Sequence, residues 1–129
     1  MRLSEAIRLG AMLKPQGYEM LIDQGDTCAL GAAFDACGLI TEGFDGFSEE
    51  DYEARVFPLF PLLRQATLPC PACGFTPYID GENFTDNIAH LNDEHRWTRE
   101  RIADWVATVE AAQAMEVTRT EDAVARATA

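Results

Sequence analysis

The sequence predicts a small α+β protein, mainly α-helical, in which a zinc-knuckle hairpin packs on helices. The chain has 129 residues, enough for one domain with a core and too few for two ordinary ones. Hydrophobic residues make up 47% of it and charged residues 25%, as in folded globular proteins. Helix start and stop signals recur on both sides of a single C-x2-C unit. We expect one globular domain over residues 1–117, with a zinc-binding subregion at 69–97 and a flexible tail at 118–129.

The N-terminal region is predicted to form a helix that Ser4 caps and that runs to about Leu13. The helix should end there because the residue before Pro15 avoids helical angles. Its expected core contacts are Leu3, Ile7, Met12 and Leu13.

An extended segment at 18–22 and a second helix at 28–37 should follow. Asp26 or Thr27 is placed to cap this helix, and Gly38 to end it. Most of the helix side chains are small, which predicts that another helix packs closely against it.

The middle of the chain is predicted to hold a loop at 43–47 and then a helix that begins at Ser48. Acidic residues follow this cap, near the positive end of the helix dipole. The helix must stop near Phe57, before Pro58. The apolar run at 56–63 is broken by prolines, so we expect it to supply core residues from turns or short helical pieces.

Two further helices are predicted in the C-terminal half. One starts at Thr85 or Asp86 and carries both histidines of the chain, and Thr98 caps the other, which runs to about Met115. The second of them has an apolar face because hydrophobic residues recur at spacings of three and four. The residues of that face are Ile102, Trp105, Val106, Val109 and Ala112.

Two cysteines and two histidines have the spacing of a metal site, C-x2-C-x16-H-x4-H. Cys70 and Cys73 form the C-x2-C unit, and Gly74 after it suits a tight turn. His90 and His95 lie about one and a half helical turns apart, within the range of spacings that zinc accepts. We therefore predict that these four side chains bind one Zn²⁺.

The segment between the two halves of this motif should form a short return strand at 75–80 and a turn at 81–83.

Four protein ligands fill a tetrahedral zinc ion and leave no position for water or substrate. The zinc is therefore expected to be structural rather than catalytic. Two thiolates and Zn²⁺ sum to zero charge, so the metal does not offset the acidity of the chain.

Other interpretations of the four residues are a free thiol pair, a redox C-x2-C unit and two solvent-facing histidines. A deaminase site is excluded, because it needs an upstream histidine and none precedes Cys70.

The other two cysteines, Cys28 and Cys37, are expected to be small buried helix residues. Without a recognisable secretion signal, four cysteines indicate a reducing cytoplasm.

Acidic residues dominate the charge of the chain. Ten Lys and Arg against 22 Asp and Glu give a net charge of −12, which argues against binding of free nucleic acid or anionic lipid. Residues 15–54 contain ten acidic residues and no Lys or Arg. This distribution is typical of a solvated surface, or alternatively of a face that meets a basic protein partner. The best candidates for that contact are Glu49, Glu50, Asp51 and Glu53.

A membrane span is not expected. The longest stretch without a charged residue, 65–79, has 15 residues and contains three prolines.

Two stretches of the chain resemble a family of small proteins from bacteria and their phages. One is Ser4–Gln16 together with Cys28–Ala33, and the other is His90–Val106, with the sequence HLNDEHRWTRERIADWV. With the C-x2-C unit, the resemblance extends over about two thirds of the chain. It implies a self-contained bacterial domain and no particular activity.

Four functions remain open at this point. The favoured one is a non-enzymatic, zinc-stabilised interaction or regulatory module. The others are a phage or prophage inhibitor of a basic host or defence protein, an enzyme with a carboxylate site, and a nucleic-acid binder. In the last, the Thr98 helix would be the second helix of a helix-turn-helix, with Arg96, Arg99 and Arg101 near its start. The net charge makes it the least favoured.

Overall fold

The protein is described here by a computed structural model of residues 1–77 and 83–128. In these ranges an antiparallel two-stranded hairpin accompanies a mainly helical architecture, which confirms the predicted α+β class. The α-helices are α1 (Leu3–Ala11), α2 (Ala29–Ala36), α3 (Glu49–Asp51), α4 (Phe84–Asp93) and α5 (Arg99–Thr128). The strands are β1 (Ile22–Asp23) and β2 (Asp26–Thr27). A π-helical turn (Tyr52–Val56) continues α3, and a 3-10 helix occupies Pro61–Arg64.

Helix α1 begins earlier than predicted, and Ser4 does not cap it. Arg2 precedes the helix, and its backbone N–H and its side chain both donate to the Glu5 carboxylate. Leu3 and Ile7 are buried, as predicted, and their spacing of four within the helix places both on the same face. The predicted core roles of Met12 and Leu13 are wrong, since these side chains are 83% and 59% exposed.

Helices α1 and α2 pack very closely, as the small residues of α2 predict. A Cβ atom built on Gly10 of α1 would lie 1.8 Å from the carbonyl oxygen of Ala32 in α2. A Cβ atom on Gly31 would lie equally close to the carbonyl oxygen of Leu21. The absence of side chains at these two positions therefore sets the distance between α2 and its neighbours.

The hairpin of β1 and β2 precedes α2. Gln24 and Gly25 both have positive φ angles, 50° and 89°, as a tight two-residue turn between antiparallel strands requires. Strand pairing begins only at Ile22, so most of the predicted extended segment at 18–22 is loop. Cys28 caps α2 through its Sγ atom, which accepts from the Gly31 N–H at 3.3 Å, so the predicted Asp26 or Thr27 cap is wrong.

In the middle of the chain, the helix start at Ser48 and the helix end before Pro58 are as predicted. The Ser48 side chain accepts from the Asp51 N–H at 3.1 Å, and the Asp51 carboxylate accepts from the Ser48 N–H at 2.9 Å. Helical structure ends at Val56, before Pro58. The proline-broken run then supplies core side chains, namely Val56, Phe60, Leu62 and Leu63.

The two C-terminal helices were predicted with errors at their ends. Helix α4 begins at Phe84 after an Asn83 cap, one to two residues before the predicted start. Thr98 caps α5 as predicted, but the predicted end near Met115 is wrong, because the helix continues to Thr128. No Gly or Pro occurs in this extension, so nothing in the chain interrupts the helix. Its side chains from Ala114 onward are exposed.

The core lies where α1, α2, α4 and the first turns of α5 meet. Its largest fully buried side chains include Phe34, Phe84, Ile88, Leu91 and Ile102. Within the described ranges, no helix combines the length and the apolar character needed to cross a bilayer.

Candidate metal centre

The cysteine half of the candidate site is a tight turn held by backbone hydrogen bonds. The Cys70 N–H donates to the Phe75 carbonyl and the Gly74 N–H donates to the Cys70 carbonyl, both at 2.8 Å. Gly74 has φ +77°, a conformation that favours glycine. The Ala72 N–H points at the Cys70 sulfur from 3.4 Å. The turn therefore presents the two sulfur atoms on one side and directs an amide dipole at one of them.

The histidine half is formed by the end of α4 and the turn that follows it, so the prediction that one helix carries both histidines is wrong for His95, which lies beyond the Glu94 cap. His90 lies in the last turn of α4, and the N–H groups of Glu94 and His95 both donate to its carbonyl oxygen. Arg96 then adopts a left-handed conformation with φ +55°, and the Trp97 N–H donates back to Leu91 at 3.0 Å. This reversal brings the imidazole of His95 against that of His90, with ring centroids 4.7 Å apart.

The two halves meet as the sequence spacing predicted. One potential ligand atom from each of Cys70, Cys73, His90 and His95 lies within 4.8 Å of all the others. The His90 and His95 Nε2 atoms are 3.1 Å apart, and the Cys73 Sγ atom lies 3.5 Å from His90 Nε2. Four atoms so arranged could hold a metal ion.

These two separations fit a tetrahedral ion with sulfur and nitrogen ligands. Bond lengths of about 2.3 Å to sulfur and 2.0 Å to nitrogen place two nitrogens about 3.3 Å apart and a sulfur and a nitrogen about 3.5 Å apart. These distances nearly equal the observed ones, so Cys73, His90 and His95 are already spaced as ligands of one ion, and Cys70 lies within 4.8 Å of them.

Burial differs among the four side chains. Cys70 is 3% exposed, the two histidines are partly buried, and Cys73 is exposed. Burial lowers the pKa of His90, and the neighbouring His95 lowers it further, whereas Glu94 opposes the shift. Neutral imidazole is the form that binds metal, so His90 is ready to act as a ligand at neutral pH.

The predicted return strand is not present in its described part. Residues 75–77 form no strand, and residues 78–80, together with Gly81 and Glu82 of the predicted turn, lie outside the described residues. The cysteine turn is connected to α4 by another contact, which the sequence analysis did not identify. Asn87 of α4, 1% exposed, accepts from the Leu68 N–H at 2.8 Å and donates to the Leu68 carbonyl at 2.7 Å.

A second buried asparagine connects α4 to the N-terminal part of the chain. The Asn92 Oδ1 atom accepts from the Ala29 N–H and the Gln16 side chain, and its Nδ2 atom donates to the Gly17 carbonyl. Asp93 next to it accepts from the Glu19 N–H at 2.8 Å. Polar amides at Asn87 and Asn92, among the apolar residues of a helix, were the available sequence signal for these contacts.

The three arginines of the helix-turn-helix interpretation make contacts within the protein. Arg99 is 5% exposed and donates to the Thr27 side chain at 2.8 Å and to the Lys14 carbonyl at 2.8 Å. Arg96 lies over the ring of Tyr18 and Arg101 over the ring of Trp97. The arrangement therefore gives no support to a nucleic-acid contact by these side chains.

The candidate acidic contact residues fall into two groups. Asp51 caps its own helix and Glu53 forms an exposed ion pair with Arg64, so both carboxylates already have partners within the protein. Glu49 and Glu50 are exposed. The aromatic rings of Phe47 and Tyr52 pack on Phe34 and so attach this acidic segment to the core.

The remaining two cysteines are partly as predicted. Cys28 is buried, and Cys37 is partly buried just after α2. Burial raises the pKa of both thiols.

Comparison with known proteins gave no family model, curated protein or solved structure that matches this chain. The resemblance to small bacterial and phage proteins therefore stays a prediction.

Proposed function

We propose that the protein is a non-enzymatic module whose fold is stabilised by one Zn²⁺ bound to Cys70, Cys73, His90 and His95. The observation that carries this proposal is the convergence of their four ligand atoms within 4.8 Å. Two sulfur and two nitrogen ligands in a tetrahedral arrangement are typical of zinc. Four protein ligands complete the coordination of the ion, which supports a structural role.

The position of the site also supports a structural role. The ligands come from a turn before α4 and from the end of α4, two parts of the chain that the Asn87–Leu68 hydrogen bonds also connect. A metal ion there would fix the cysteine turn on α4 and, through the Arg96 turn, fix the start of α5. Metal binding of this kind contributes directly to the free energy of folding.

Zinc content tests the proposal. Protein purified without added metal should contain about one zinc ion per chain by elemental analysis, as a complete four-ligand site requires. Cys73→Ser should lose most of it, and Cys37→Ser is the matched control that should keep it. Equal zinc in the Cys73→Ser protein and the parent would contradict the assignment.

We further propose that the module acts by binding a protein with a basic surface, through the exposed carboxylates of Glu49 and Glu50. The segment around them, residues 15–54, contains ten acidic residues and no Lys or Arg of its own, and the ion pairs of Asp35 with Lys14 and of Glu53 with Arg64 leave Glu49 and Glu50 exposed. Fixed exposed charges steer a partner of opposite sign and weaken as salt screens them, over about 8 Å at physiological ionic strength.

The test uses a partner captured from the source cell, identified by mass spectrometry and purified on its own. The double variant Glu49→Lys/Glu50→Lys should weaken its binding by about tenfold or more at low salt. The control Glu121→Lys/Asp122→Lys makes the same change in net charge at the exposed end of α5 and should have little effect. Equal loss in both variants would show that net charge, and not this surface, attracts the partner.

A further inference from the structure

The two cysteines of the candidate metal centre differ in their access to solvent. Cys73 is exposed, whereas Cys70 is 3% exposed and its sulfur receives the Ala72 N–H. A reagent in solution can therefore reach the Cys73 sulfur directly, with the Cys70 sulfur behind it and within 4.8 Å. An accessible thiol with a second thiol next to it is the arrangement that favours reversible oxidation.

We propose that Cys73 and Cys70 form an oxidation site for hydroperoxides, at which conversion of the two thiolates to a disulfide releases the metal. This inference rests on the proposed zinc site. In its metal-bound form each sulfur is held as a thiolate, the nucleophilic state of cysteine.

The reaction balances in two steps. The Cys73 thiolate attacks one oxygen of the hydroperoxide, so that an S–O bond forms, the O–O bond breaks and hydroxide or alkoxide leaves. The Cys70 thiolate then attacks the Cys73 sulfur, so that the S–S bond forms, the S–O bond breaks and a second hydroxide leaves. The two sulfurs lose two electrons, the hydroperoxide gains them, and Zn²⁺ departs because both of its anionic ligands are gone.

The geometry permits this disulfide. A disulfide requires sulfur atoms about 2.05 Å apart, so the two must approach each other by less than about 2.8 Å. Cys73 is exposed and lies outside the buried core, so the movement falls on a side chain that is not part of core packing.

The other two thiols do not compete for the oxidant. Cys28 is buried and caps α2, and Cys37 is partly buried. Burial raises the pKa of both, which keeps them in the less reactive thiol form at neutral pH. Oxidation should therefore be selective for the pair in the metal centre.

Treatment of the zinc-loaded protein with hydrogen peroxide tests the inference, with a chromogenic chelator to measure released zinc. We expect about one zinc ion per disulfide formed, and peptide mass spectrometry should locate that disulfide at Cys70 and Cys73. Dithiothreitol followed by zinc should restore the original protein. Zinc release without this disulfide would overturn the inference.

Two variants make the test specific. Cys73→His retains four ligands but cannot form the disulfide, so its zinc release should be at least about tenfold slower. Cys37→Ala should release zinc as the parent does. A parent that holds zinc and keeps it in peroxide would overturn the oxidation site and leave the zinc site intact. A parent without zinc would overturn both.

Discussion

Asn87 should determine how tightly the protein binds zinc, although it is not itself a ligand. Its side chain makes two hydrogen bonds to the backbone of Leu68, at 2.8 and 2.7 Å, and so holds the segment before Cys70 against α4. Asn87→Ala removes both. Each such bond contributes about 0.5–1.5 kcal/mol, so the loss is about 1–3 kcal/mol.

This loss should appear in the zinc dissociation constant. Without the two bonds, part of the free energy of metal binding must be used to order the cysteine turn. A loss of about 1–3 kcal/mol corresponds to a roughly 5- to 150-fold weaker affinity for zinc. Competition with a chromogenic chelator measures the constant. Ile7→Val is the control, since it costs about 0.5–1.5 kcal/mol of core packing in α1, away from the site. An unchanged affinity in Asn87→Ala, or an equal loss in Ile7→Val, would refute the reasoning.

Three further predictions concern metal removal, packing and pH. Removal of the metal with a chelator should raise the rate of amide hydrogen exchange first in α4 and at the start of α5. Exchange should also rise at residues 16–19, because Asn92 and Asp93 hold that segment. Equal protection of all helices after chelation would contradict this. Gly10→Ala should lower the free energy of unfolding by about 1–3 kcal/mol in urea denaturation, because its Cβ would clash with the Ala32 carbonyl, whereas Leu9→Ala on the exposed side of α1 should cost much less. Burial raises the pKa of Cys28, so the unfolded chain releases this proton at lower pH than the folded one, and stability should fall as pH rises above about 8.5. Cys28→Ser retains a capping side chain but has no thiol to ionise, so its stability should fall less steeply with pH. The same pH dependence of stability in the variant and the parent would show that ionisation of Cys28 is not the cause.

The meeting of the four candidate ligands could be predicted from the sequence because each half of the motif has a local signal. The C-x2-C unit forms a tight turn, the two histidines lie at and just after the end of α4, and the structure brings all four together. The capping box at Ser48 was predictable for the same reason. The capping box and each half of the Cys/His motif depend on residue types within a few positions of one another.

The positions that could not be predicted depend on distant parts of the chain. Cys28 was expected to be a small buried helix residue, yet its sulfur caps α2, where Asp26 and Thr27 were expected to act. Arginine is usually a surface residue, so its type did not indicate that Arg99 is buried. Backbone carbonyls surround its side chain only because α1, β2 and α5 meet there. Glu53 was a candidate contact for a basic partner, and the fold places Arg64 beside it.

The left-handed turn at Arg96 has a consequence for the order in which the protein assembles. The four candidate ligands lie within residues 70–95, whereas the bonds of Asn92 and Arg99 to the N-terminal segment join residues 63–88 positions apart. Closing a shorter loop costs less chain entropy, so capture of the proposed zinc ion should precede those distant contacts during folding. Once the ion is bound, the turn already has the shape that the N-terminal segment must meet. We therefore expect the metal to increase the rate of folding as well as the final stability.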